Sequence, residues 1–453
     1  MRSPLLLALV LAACAGDPAP SGGSSGGGAG PREASARWTV GTSVLGRPIV
    51  AERFGAGPRV LLMSAIHGNE RPAVILGERL RSSLLAGLAT SRGVQVVLLP
   101  VANPDGVAAA SRHNAHGIDL NRNFDAANFA PSKDHGQAPL QEPESAAVAA
   151  LVESLDPVLI ISVHNPLDQV DWNGPADGIA RLMADASGIP LEPPLGGLPG
   201  SLGSWAGEDL GIPTITLELP HSIPDLGGYD AGLVAVRAAL DWASSRASAG
   251  PWEPEEAADS PWRGEVLATS AGGLPILLER RGEAPRRVLV VGGADGGDQT
   301  AFIAERVRAS LLLAAEAPPA AVVIITVPNP DGLATGSGSN ADKQPVETGF
   351  APPEAPETAA LDALLREGWE AVVVIEAAGE TGAVIEGSVD LEAAVQRAGL
   401  PLRSTPPKTG TLAARALELG PVVRLLVPPW TGTEGQAQPY AHAVHEVINT
   451  EAP

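Results

Sequence analysis

His67 and Glu70 stand three residues apart, where an apolar run at 60–66 gives way to a stretch opened by Pro72. An imidazole and a carboxylate spaced this way at a strand–helix junction can turn toward one metal ion. His164 closes a second apolar run, Ile160-Ile161-Ser162-Val163, and supplies a third ligand. Two imidazoles and a carboxylate suit Zn2+, and three protein ligands leave one coordination position for water. That is the arrangement of a catalytic site rather than a structural one. An isolated HxxE would carry little weight, since such pairs occur by chance in many helices.

The motif has company. Asn103-Pro104-Asp105-Gly106 follows it, then the run 112–124 (RHNAHGIDLNRNF), then Leu217-Glu218-Leu219-Pro220. In that order, HGNE, NPDG, GIDLNRNF, SVHN and TLELP resemble the zinc metallocarboxypeptidases of the carboxypeptidase A clan, over roughly residues 42–245. Their wording is most similar to the bacterial murein-peptide amidases, which cleave the γ-D-glutamyl–diaminopimelate bond of cell-wall peptides.

The resemblance implies a role for each matching position. His67, Glu70 and His164 are the expected zinc ligands, with one Zn2+ per chain. Glu218 is the expected general base, taking a proton from the attacking water and returning it to the leaving amine. Arg112 is expected to stabilise the tetrahedral oxyanion. Asn121 and Arg122 are expected to grip the substrate carboxylate, for which a guanidinium offers two parallel donors. Asp119 reads as loop structure that orients its neighbours, and His113, His116 and His135 as surface loop residues. One departure stands out. Digestive enzymes of the clan carry a mobile tyrosine over the substrate, whereas this chain has only Tyr229 and Tyr440, and neither maps onto that role. The residues that select the side chain beside the scissile bond are not legible.

For these side chains to converge, strands must deliver them to one edge of a sheet. Residues 60–66, 94–101, 158–163 and 213–219 read as short buried strands. Residues 72–86, 142–154 and 228–246 read as helices, and Pro72 suits a first helical turn. NPDG reads as the turn that closes the second strand. Alternating strands and helices predict an α/β fold, a three-layer α/β/α domain around a mixed sheet.

The pattern then recurs. After a polar, proline-rich stretch at 248–262, Gly282-Glu283-Ala284-Pro285-Arg286-Arg287 leads into Val288-Leu289-Val290-Val291, as Gly55-Ala56-Gly57-Pro58-Arg59 leads into Val60-Leu61-Leu62-Met63. Asn329-Pro330-Asp331-Gly332 repeats NPDG at nearly the same spacing, which points to an internal repeat. The chemical positions change. Asp295 replaces His67, Asp298 replaces Glu70, Gly338 replaces Arg112, and Glu347 and Thr348 replace Asn121 and Arg122. The strand ending in His164 corresponds to one ending near Glu376, and Leu426 falls opposite Glu218. Two tandem domains are therefore expected, 36–247 catalytic and 263–453 a degenerate copy without zinc, joined by a linker at 248–262. The second domain is expected to pack on the first or to bind a partner.

Bulk properties bound the remaining readings. The length of 453 residues suits two domains of about 200 residues each. A formal net charge of −22 argues against nucleic acid and against electrostatic binding to anionic lipid. The single cysteine, Cys14, ends a short apolar run as Leu11-Ala12-Ala13-Cys14, which resembles a bacterial lipobox. Residues 1–14 are thus expected to be a lipoprotein signal, Cys14 the lipidation site and 15–35 a Gly/Ser/Pro tether. That places the chain in the bacterial cell envelope, held to a membrane by lipid alone, with the periplasmic face of the outer membrane favoured because Ala15 follows the cysteine. The leading expectation is a zinc hydrolase acting on wall-derived peptides. An N-acyl amino acid deacylase of the aspartoacylase or succinylglutamate desuccinylase type shares HGNE and DLNR and is the rival enzyme. A non-catalytic wall-binding lipoprotein is the rival outside enzymes.

Overall fold

The first described element, β1 (Arg37–Thr42), precedes any strand that the apolar runs indicated, and it pairs antiparallel with β2 (Pro48–Gly55) at one edge of a sheet. The computed structural model describes residues 37–192, 195–221, 223, 229–250, 252–253, 263–314, 316–379, 381–386, 389–428 and 434–450. Cys14, the lipobox and the tether lie outside the described residues, as does most of the linker. No helix among the described residues is long and apolar enough to cross a membrane.

After β2 come β3 (Arg59–Ser64), α1 (Arg71–Leu85), β4 (Gln95–Leu99), α2 (Pro104–Ala109), α3 (Pro143–Leu155), β5 (Leu159–His164), β6 (Leu167–Asn173), α4 (Asp177–Ser187), β7 (Thr214–Pro220) and α5 (Asp230–Ser244). The strands form one sheet in the order β1-β2-β4-β3-β5-β7-β6. Its centre, β4-β3-β5-β7, is parallel, and its flanks are antiparallel. Strands β3, β4 and β5 are buried along their whole length, as a sheet covered on both faces requires. Leu62, Ile161 and Leu217 pack under α1, α4 and α5 on one face, while Leu61, Val97 and Ile160 pack under α3 on the other.

NPDG is not a simple turn. Asn103 caps α2, accepting a hydrogen bond from the Gly106 N–H at 2.8 Å, with Pro104 in the first helical position. Its amide also donates to the Ile66 carbonyl at 3.2 Å. The asparagine therefore ties the short helix to the loop that carries His67. Gly68 in that loop allows the approach, because a Cβ there would fall 1.9 Å from the Gly106 carbonyl carbon.

The second half contains β8 (Arg263–Thr269), β9 (Pro275–Arg281), β10 (Arg287–Val291), α6 (Asp298–Leu313), β11 (Ala321–Ile325), α7 (Pro330–Thr335), α8 (Pro356–Leu365), β12 (Ala371–Ala377), β13 (Gly382–Glu386), α9 (Val389–Arg397), α10 (Leu412–Leu417), β14 (Val422–Val427) and α11 (Glu434–Asn449). Its sheet runs β8-β9-β11-β10-β12-β14-β13, the same strand order as the first sheet. Asn329 caps α7 through the Gly332 N–H at 2.9 Å and reaches the Ala294 carbonyl at 3.4 Å, as Asn103 does in the first half. The beginning of the expected linker is docked rather than free. The Trp252 ring lies 5.4 Å from that of Trp38, and its carbonyl accepts from Arg53 and Gln95. The described residues from Arg37 onward make one compact unit.

Candidate active site

Strand alternation builds the floor of the site. In Thr214-Ile215-Thr216-Leu217-Glu218-Leu219, the apolar residues Ile215, Leu217 and Leu219 enter the core under α1 and α5. Thr214, Thr216 and Glu218 must then face the other side of the sheet. Register aligns them with neighbouring strands. Glu218 pairs with His164 on one side and Gln169 on the other; Thr216 pairs with Ser162 and Asp171; Thr214 pairs with Ile160 and Asn173. The row at the C-terminal end of the parallel strands carries His164 and Glu218, and the next row inward carries Ser162, Thr216 and Asp171.

The loop after β3 brings His67 and Glu70 over that edge. His67 Nδ1 lies 2.6 Å from Glu70 Oε1, and His164 Nδ1 lies 3.0 Å from Glu70 Oε2. One donor atom from each residue lies within 4.8 Å of the others, and all three residues are buried. The outward nitrogens are held too. His67 Nε2 faces Asp119 Oδ1 at 3.0 Å, and His164 Nε2 faces the Ser162 hydroxyl at 3.1 Å. Fixing the outer nitrogen of each imidazole sets the direction of the inner one, which is how metal-binding histidines are commonly oriented. His67, Glu70, Arg112, Asn121, Arg122, His164 and Glu218 line a single cavity of about 250 Å3. Every site residue expected from the sequence, apart from Cys14, is thus brought to one place.

Charge in this cavity is concentrated. Burial would raise the Glu70 carboxyl, but the charges and hydrogen bonds of His164 and His67 outweigh it and hold its pKa at about 2. Burial disfavours an imidazolium at His67, yet the hydrogen bonds of Asp119 and Glu70 keep its pKa above the usual value. Asp119 is held well below the carboxylate range: burial opposes this, but the bond to His67 and the charges of His67, Arg112 and Arg122 prevail. Two imidazoles flanked by carboxylates call for positive charge among them. A divalent cation meets that demand, and two nitrogens with a carboxylate are a donor set that fits Zn2+.

Glu218 differs from Glu70. Its only described hydrogen bond comes from the Leu167 N–H at 3.4 Å, and burial raises its pKa. A carboxyl pushed toward neutrality beside the ligand cluster can both take and return a proton. Arg112 binds Asp119 through Nε at 3.0 Å and Nη2 at 2.9 Å, and its Nη1 stands 3.6 Å from Glu70. Asn121 is fixed by the Leu202 N–H donating to its Oδ1 at 2.9 Å, which leaves the amide NH2 for a ligand. Arg122 donates to the Asn121 carbonyl at 2.6 Å and makes no ion pair among the described residues, so its guanidinium can receive a carboxylate.

Asp119, read in the sequence as orienting its neighbours, holds His67 and Arg112 together. Two contributors went unread in the sequence. Ser162 lies two residues before His164 on the same strand face. Asp171, buried and raised in pKa by that burial, lines the cavity and accepts from the Leu195 N–H at 3.1 Å. Alternation in β5 could have found Ser162, but Asp171 needs the antiparallel return of β6 beside β7. Tyr229 is packed in the core and does not line the cavity. His113 pairs with Asp134, His116 with Glu142, and His135 with the Ala130 carbonyl, outside the cavity.

A model of the zinc carboxypeptidase family matches residues 33–170. Murein peptide amidase A of Escherichia coli (strain K12) is 34% identical over 199 residues, which span 40% of this chain and 79% of that protein. Murein peptide amidase A of Vibrio campbellii is 31% identical over 207 residues, 42% of this chain and 81% of that protein. Among solved structures, murein-tripeptide amidase of Escherichia coli O157 aligns over 49% of this chain and 93% of its own, with 26% identity and a TM-score of 0.37.

Proposed function

The chain belongs to the zinc carboxypeptidase family, and on that premise we propose that it is a zinc-dependent amidase or carboxypeptidase of peptidoglycan-derived peptides. The observation that carries the proposal is the cavity in which the His67, Glu70 and His164 donor set, Glu218, Arg112, Asn121 and Arg122 meet. When bound by His67, Glu70 and His164, zinc supplies Lewis acidity to the water and to the scissile carbonyl.

The protein groups do the rest. Arg122 and the Asn121 amide hold the substrate carboxylate and so set which amide bond lies over the metal site. Glu218 takes the proton of the attacking water and delivers it to the leaving nitrogen. Arg112 offers fixed positive charge to the oxygen that becomes anionic, and its bond to Asp119 spares it from reorganising during the reaction. Glu70 and Asp119 hold the two imidazoles in place.

The floor of the cavity supports the proposed substrate class. Ser162, Thr216 and Asn173 line the same cavity as Asp171, and Leu195 and Leu198 line it too. A buried carboxyl among neutral hydrogen-bonding groups suits a side chain that ends in an ammonium. Diaminopimelate carries both that ammonium and the carboxylate that Arg122 would take, and the similar murein peptide amidases are named for murein peptides.

The second half is read as a degenerate copy of the first. Both sheets have the same strand order, and β12 and β14 pair Glu376 with Leu426 where β5 and β7 pair His164 with Glu218. Residues that support the fold are kept: Asn340 binds Glu357 as Asn114 binds Glu144. Where the first half has Thr216 beside Ser162, the second has Arg424, which bonds Glu376 at 2.5 Å. An arginine–glutamate pair thus takes up the position of the metal pocket. The Cys14 lipid anchor and envelope location belong to the same proposal, and incorporation of labelled fatty acid lost in Cys14→Ser tests them.

A substrate panel read by mass spectrometry tests the activity. The purified zinc-loaded chain should release free diaminopimelate from murein tripeptide and stop when the metal is chelated. Release of acetate or succinate from N-acyl amino acids instead would assign it to the deacylases. Wall binding with no hydrolysis of either panel would assign it to the scaffold proteins.

A further inference from the structure

Arg81 projects from α1 into the seam between the two halves, fully buried, and meets three carboxylates there. It bonds Glu52 of β2 at 2.8 Å, Glu279 of β9 at 3.2 Å and Glu305 of α6 at 2.5 Å. Arg308 of α6 approaches the same group from the other side, at 2.8 Å from Glu305, 3.6 Å from Glu52 and 4.0 Å from Glu279. Arg37 of β1 adds a third guanidinium, 3.1 Å from Glu52 and in contact with Glu279. Three arginines and three glutamates are buried together, so each charge depends on partners from both halves.

The contacts are reciprocal. Arg81 and Arg308, Glu52 and Glu279, and Glu78 and Glu305 are related by one constant offset along the chain. Arg81 reaches Glu279 of the other half just as Arg308 reaches Glu52. The ends of the two helices repeat the relation. Arg47, in the β1–β2 turn, donates to the Leu313 carbonyl at the end of α6. Leu274, in the β8–β9 turn, packs beside Gly87 after α1, where a Cβ would fall 2.9 Å from the leucine Cδ2. A seam in which residue i meets j and j meets i is the signature of an isologous two-fold contact. Two beads on a string would have no reason to acquire it. The apolar packing is continuous as well, since Leu80 and Leu84 of α1 share one cluster with Phe302, Ile303 and Val307 of α6.

We propose that this seam is a dimer interface made internal: the second half stands in for a second copy of the first, and its contribution is to clamp α1. The proposal rests on the reading of the second half as a degenerate copy. Glu70 sits immediately before α1, so a helix fixed at Arg81 is fixed on the element that presents the metal pocket. The interface, and not the peptide connection at 248–262, then holds the halves together.

A cleavable sequence inserted within 254–262 of the full chain tests this. After cutting, native mass spectrometry at roughly micromolar protein should find both fragments as a one-to-one complex with zinc affinity unchanged. Fragments that separate under native conditions would overturn the proposal. In the cut protein, Glu305→Gln should weaken association by about tenfold or more. Glu305→Asp, which keeps the charge between Arg81 and Arg308, should weaken it less than Glu305→Gln does. Undiminished association in Glu305→Gln would remove the ionic seam from its role. Zinc found in the second half would sink the degenerate-copy reading without touching the association result, so the two failures are distinguishable.

Discussion

Glu218 and His164 are register partners on adjacent parallel strands, so the expected base and the last metal ligand leave the sheet side by side. Their positions follow from two backbone ladders and not from a flexible loop. A change at one should therefore leave the geometry of the other intact. Glu218→Gln is expected to cut turnover by roughly a thousandfold or more while leaving zinc content near one equivalent. Single-turnover assays with parallel metal analysis check this, and loss of zinc would reassign Glu218 to the ligand set.

Asp119 supports His67 and Arg112 at once. Asp119→Ala should lower zinc affinity by about 10–100-fold, as measured by competition with a chromophoric chelator. Ser162→Ala should act in the same direction through His164, with a smaller effect because a neutral hydroxyl is lost. Unchanged affinity in both variants would mean that the imidazoles are oriented by packing alone.

Asp171 is assigned to the substrate side chain, so its effect should appear in KM. Asp171→Asn should raise KM for a diaminopimelate-terminated peptide by about tenfold, with a smaller change in kcat, and should narrow the preference over a neutral C-terminal residue. A fall in kcat with KM unchanged would place the residue in the chemistry instead.

The seam carries its own pH signature. Burial, opposed by Arg306, raises the Glu78 pKa to about 7. The folded chain then holds a proton there that the unfolded chain has released above its ordinary pKa of 4.5. This contribution to stability is fully present at low pH and declines as pH rises through about 7. Glu78→Gln, which imitates the protonated form, should raise the melting temperature relative to wild type at pH 8, and the difference should close toward pH 5. A constant difference across that range would show that Glu78 does not titrate in the folded state.

The ligand triad was legible because each member sits where an apolar run ends, and such ends lie at the C-terminal edge of a parallel sheet. The four central strands were legible for the same reason, whereas β1, β2 and β6 at the flanks carry no such run. Asp171 was hidden because its neighbours in space are on β7, some 45 residues later, and only the antiparallel return of β6 makes them neighbours. NPDG was read as a turn because proline and glycine dominate its chemistry, yet the Asn103 side chain converts it into a helix start. Nothing in the sequence around Arg81 and Arg308 marks them as buried. What buries them is the docking of one half on the other, which local spacing does not encode.

The proposed function requires one metal per chain, held by His67, Glu70 and His164 in the first half. Metal content of the zinc-loaded, desalted chain, compared with His67→Ala and with Glu376→Ala, tests it most directly. One equivalent in the unaltered chain and in Glu376→Ala, with almost none in His67→Ala, is the expected result. A second equivalent that disappears in Glu376→Ala, or zinc retained in His67→Ala, would contradict it.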